Sequence, residues 1–150
     1  TVQGNETAKL PGMTARGCLA RAECRALDIR RRKLRNHGVA QPLKDVVTAW
    51  QLRDAEAQVI NDHTDPDYDR SVLERLATIH VDARAWLEPV AGAVPRLAAY
   101  ATRLDAAPDG AMAGDGRFVA SPRVDSYHGI WFELHEDLIA TLGLTRGAER

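Results

Sequence analysis

SVLERLATIHVDARAW (residues 71–86) places Val72, Leu76, Ile79, Ala83 and Trp86 at successive steps of four, three, four and three residues. That spacing sets all five on one side of a 3.6-residue helix, so the stretch predicts a helix with a single buried face. Ser71 followed by Glu74 has the form of a capping box at its start, and Pro89 predicts an end or a kink.

The same rule extends in both directions. Upstream, Leu43, Val46, Val47, Trp50, Ala57 and Ile60 mark the buried side of a helix beginning at Pro42, and NDHTDPDYD (residues 61–69) separates it from the next. Leu19, Ala22, Ala26 and Ile29 predict an earlier helix from Thr14 to His37 with Gly38 as its stop, and TVQGNETAKLPG (residues 1–12) reads as a polar arm. Downstream, Val94, Leu97, Ala101 and Leu104 predict a fourth helix, and DAAPDGAMAGDG (residues 105–116) a flexible connector. Ser121-Pro122 precedes a final helix starting near Asp125, with Tyr127, Trp131, Leu134 and Leu138 as its stripe and Gly143 as terminator. RFVAS (residues 117–121) is the one strand candidate and is too short to carry a sheet. The expected fold is therefore all-α: an arm over residues 1–12 and one helical domain of about five helices over residues 13–150.

Composition agrees. Of 150 residues 45% are hydrophobic but only 5% aromatic, a balance that suits close-packed helices better than a β-sandwich. Cys18 and Cys24 lie six apart on a predicted helix, about 240° of rotation, which faces the thiols away from each other and disfavours a disulfide. No apolar run approaches the roughly 18 residues of a membrane span, and the chain does not open on a basic stretch followed by an apolar one. A cytoplasmic protein with no membrane partner is the expectation.

Twenty basic against 21 acidic residues give a net charge of -1, so no global field draws the chain to nucleic acid. Eight basic residues nevertheless fall between Arg16 and Arg35, and RRRKLR (residues 30–35) is the densest run. No aromatic residue interleaves it, which favours a solvated face or a protein interface through Arg30, Arg31 and Arg32 over nucleic acid.

Candidate chemistry is sparse. His128 and His135 are two turns apart, about 10.5 Å along a helix, and cannot share one metal ion. Asp65, Asp67 and Asp69 copy the opening of a calcium loop, but Arg70 and Leu76 stand where glycine and glutamate are needed; Asp67 or Asp69 suits a helix start instead. No metal or cofactor is expected in this chain. Trp50, Trp86 and Trp131 each sit on the apolar stripe of a different helix, which reads as core, or as the lining for an aromatic ligand or haem. An arginine separated from a following histidine by four to six intervening residues, as in Arg123 and His128, Arg75 and His80, or Arg30 to Arg32 with His37, is similar to the mark of HEPN-type RNA-cleaving helical enzymes, without the polar residue that usually follows the arginine. Arg123 and His128 are the catalytic candidates on that alternative.

Ser126-Tyr127, Trp131, Glu136, Leu138-Ile139, Gly143 and the closing TRGAE (residues 145–149) resemble the helical N-terminal domain of nitrile hydratase β-subunits and the small subunit of thiocyanate hydrolases, over about residues 121–149. The chain departs from these subunits upstream, having no phenylalanine before Phe118, and its two cysteines do not imitate the metal-binding cluster. The resemblance implies a helical accessory subunit whose partner chain carries cobalt or iron, with Tyr127 and Trp131 joining the arginines at the interface. A protein that works through contacts with another subunit is the leading expectation.

Overall fold

The structure, a computed structural model, describes residues 38–143 together with Arg21 and Arg25. Arg21 and Arg25 are helical and exposed. The predicted arm, both cysteines and Arg30, Arg31 and Arg32 lie outside the described residues.

The chain is mostly helical, a single compact region whose described residues form five helices and one two-stranded hairpin. Helix α1 (Ala40–Gln51) buries Leu43, Val46 and Val47. It stops there, and does not continue to Ile60 as the apolar spacing predicted. Leu52 is extended, and β1 (Leu52–Asp54) pairs antiparallel with β2 (Val59–Ile60). The reason is local: Asp54 Oδ1 accepts from the backbone N–H groups of Glu56 and Ala57, both at 2.9 Å, and this turn competes with the helical ladder. Ala57 and Ile60 are consequently exposed.

Helix α2 (Pro66–Ala93) is the 28-residue spine. Its cap is not Ser71 but Asp65, whose side chain accepts from the Asp67 and Tyr68 N–H groups, with Pro66 at the first helical position. The stripe follows the predicted spacing through Ala83 and then moves to Leu87 and Val90, leaving Trp86 partly buried. Pro89 lies inside the helix on its exposed side; the lost bond frees the carbonyl of exposed Ala85, where water can replace it.

After a 3-10 turn at Pro95–Leu97, α3 (Ala98–Met112) runs through most of the stretch expected to be a loose connector. Ala107, Pro108 and Ala111 are buried on it, so small residues that read as a loop are small because a helix packs closely there. RFVA, the strand candidate set aside as too short, is the one-turn helix α4 (Arg117–Ala120). Helix α5 (Tyr127–Thr141) is capped by Ser126, whose Oγ accepts from Gly129 N–H.

Helices α2 and α3 form the main contact, with α1 on α2 and with α4 and α5 on α3. Leu43, Val46, Val72, Leu76, Leu87, Leu97, Leu104, Tyr127, Ile130, Leu134 and Leu138 are the largest fully buried side chains. Two arginines clamp the last helix from outside: Arg96 of the 3-10 turn pairs with Asp137 at 2.5 Å, and Arg103 of α3 pairs with Glu133 at 2.7 Å and with Asp125, just before α5, at 2.5 Å. Arg103 holds the Asp125 carboxyl below the usual range. Asp137 and Glu133 of the last helix are thus occupied in helix packing. No described helix is long and apolar enough to cross a membrane.

Candidate functional site

The hairpin and the turn after it are positioned by α2. Arg53 on β1 pairs with Asp65 at 2.7 Å and lies 4.1 Å above the Tyr68 ring, while Tyr68 Oη donates to the Ala49 carbonyl at 3.0 Å. These contacts bring residues 61–63 back against the end of α1.

There, Asn61 is only 5% exposed, between Ile60 at 74% and an exposed His63. The Asn61 amide donates to the Trp50 carbonyl at 3.1 Å and to Asp69 Oδ1 at 2.9 Å. The second carboxylate oxygen of Asp69 lies 2.9 Å from His63 Nδ1. His63 adopts a left-handed backbone, φ 59°, which few non-glycine residues take up. Its ring rests on Trp50 with centroids 4.6 Å apart. Trp50 is held from another side by Gly116, where a Cβ would stand 2.6 Å from the indole Cζ2; only glycine lets the chain pass so close.

Trp50, Ile60, His63, Ala120, Ser121 and Pro122 are among the residues lining an open groove of about 660 Å³. Arg117 also faces it, but its guanidinium is taken by Asp115 through bonds of 2.9 and 2.7 Å. The groove is therefore an aromatic and aliphatic trough with one oriented imidazole, a shape suited to an apolar group that makes one directed hydrogen bond.

The residues singled out from sequence are dispersed. Trp50 lines the groove, whereas Trp86 and Trp131 pack on each other with centroids 6.2 Å apart, so the three tryptophans do not line one cavity. Tyr127 is fully buried and Trp131 is 7% exposed, placing both inside the single chain and not on its surface. Arg123 and His128 are exposed on either side of the Ser126 cap. Arg75 is exposed, while His80 turns inward: its Nε2 lies 3.0 Å from Asp105 Oδ1 and its Nδ1 3.2 Å from Tyr127 Oη. A carboxylate only accepts, so Nε2 carries a proton, and in the neutral ring Nδ1 accepts from the phenol. Arg84 joins at 2.9 Å from the same Asp105 oxygen, which ties α2, α3 and α5 together.

Asn61 and His63 were not singled out by pattern, and Asp69 was read only as a failed calcium ligand or a helix-start residue. The signal was present in NDHTDPDYD, where the asparagine, the histidine and the last aspartate are two and six residues apart, but only the reversal at Asp65-Pro66 brings them together. Among the described residues no group of three His, Cys, Asp or Glu side chains is placed to hold a metal ion. Comparisons with protein-family models, with curated proteins and with solved structures found no match.

Proposed function

We propose that this chain is a helical protein-interaction or accessory subunit that docks a partner chain on the face around Trp50 and Ile60. The observation that supports this reading is Ile60. It stands 74% exposed beside an aromatic trough, and Val59 next to it is 49% exposed. Burying an isoleucine side chain is worth about 1.5–3 kcal/mol, which a partner seated here recovers. Exposed apolar side chains grouped at a groove mark interaction sites more than scattered ones do.

In its finer form the reading makes the chain an accessory subunit of a nitrile-hydratase-like metalloenzyme, with cobalt or iron in the partner; the likeness of the α5 sequence is what supports that form. Native mass spectrometry of the protein purified from its own host tests the docking. A second chain is expected with the wild type and is expected to be lost with Ile60→Lys, while the circular dichroism of the variant stays helical. A wild type that emerges bare, or a complex indifferent to Ile60→Lys, contradicts it.

A further inference from the structure

The groove offers its occupant one fixed polar atom, and the chemistry of that atom selects the occupant. We propose that the groove takes a tyrosine side chain of the partner, its ring against Trp50, Ile60 and Pro122 and its phenol O–H donating to His63 Nε2. This rests on the docking reading above.

The polarity of His63 is set by its neighbours. Asp69 Oδ2, 2.9 Å from Nδ1, can only accept, so in the neutral ring the proton sits on Nδ1 and Nε2 presents a lone pair. Asn61 Nδ2 also approaches Nδ1, at 3.3 Å, but its two hydrogens are used on Trp50 O and Asp69 Oδ1, which leaves that approach a contact and not a third bond. Among the described residues Nε2 has no hydrogen-bond partner. The imidazole is 43% exposed and Asp69 17%, so the support lies inside while the ring faces the groove.

An imidazole lone pair repels a carboxylate or phosphate and accepts from a neutral donor. The aromatic and aliphatic wall favours a flat apolar body. Arg117, the cation at the groove, is already neutralised by Asp115. A phenol combines the flat body with the donor, and tyrosine is the residue that carries one; aromatic residues with a polar tip are also the usual anchors of interfaces.

The test uses the full chain, labelled with 15N and titrated with N-acetyltyrosinamide and with N-acetylphenylalaninamide, reading the Trp50 indole N–H resonance. The tyrosine amide is expected to bind about fivefold tighter, the ratio that one neutral hydrogen bond of about 1 kcal/mol supplies. His63→Asn, which tolerates the left-handed backbone, is expected to bring the ratio to about one. Equal binding of the two amides to the wild type overturns the tyrosine assignment, and so does a preference that survives His63→Asn. No shift with either amide overturns it as well; the docking reading is judged separately, by the response of the complex to Ile60→Lys.

Discussion

Ala107→Asp is expected to unfold the protein or to lower its stability by on the order of 3–5 kcal/mol, the cost of leaving an unpartnered charge inside a core. Ala107 is 1% exposed and belongs to the buried side of α3 with Leu104 and Ala111. Ala106, one residue earlier, is exposed on the same helix, and Ala106→Asp is expected to stay within about 0.5 kcal/mol of the wild type. The contrast between neighbours carries the prediction, because a flexible connector would tolerate both. Urea unfolding of the two variants measures it; two silent substitutions would return residues 105–112 to a loop.

Tyr127→Ala is expected to cost about 3–5 kcal/mol, and Tyr127→Phe about 0.5–1.5 kcal/mol. The first removes a fully buried ring at the start of α5, the second only the hydroxyl that donates to His80. Burial pushes the Tyr127 phenol well above its ordinary value, with the Asp105 carboxylate adding to the shift. The folded state therefore keeps a proton that the unfolded chain releases near pH 10, so stability is present below about pH 10 and falls as pH rises beyond it. Urea titrations at pH 8 and pH 10.5 are expected to show a larger alkaline loss for the wild type than for Tyr127→Phe. An identical loss would show that Tyr127 is not shielded as the structure has it.

Much of the fold was legible because helices write their buried faces at three- and four-residue steps. Val72 through Ala83 and Tyr127 through Leu138 occupy the faces their spacing indicated. The misreadings have physical causes. Pro89 was read as an end or a kink and Pro108 as part of a connector, yet each stands four residues before its helix ends, where the helix keeps one further turn. Glycine, aspartate and alanine in residues 105–116 signalled a loop, but Gly110 is needed where the Phe118 ring would lie 2.7 Å from a Cβ. Apolar spacing alone carried the second predicted helix on to Ile60, and the Asx turn at Asp54 ended it earlier.

The candidate site was legible only in part. Trp50 was marked as a possible lining residue, but as one of three around a cavity. The groove instead depends on contacts between residues far apart in the chain, such as Trp50 with Gly116, that no periodicity records. His63 lay unmarked in the stretch read as a separator between helices and Asp69 was read as a helix-start residue; their pairing follows from the left-handed bend at His63 together with the cap at Asp65. His128 and His135 of the last helix were weighed as metal ligands, while its Asp137 and Glu133, not singled out for pairing, serve Arg96 of the 3-10 turn and Arg103 of α3.

Amide hydrogen exchange of the host-purified assembly, compared with the chain alone, tests most directly whether a partner docks on the Trp50–Ile60 face. Slower exchange at residues 52–61 and 116–121, with residues 132–137 of α5 unchanged, is the predicted result. Protection confined to α5, with the hairpin exchanging as freely as in the isolated chain, would contradict it.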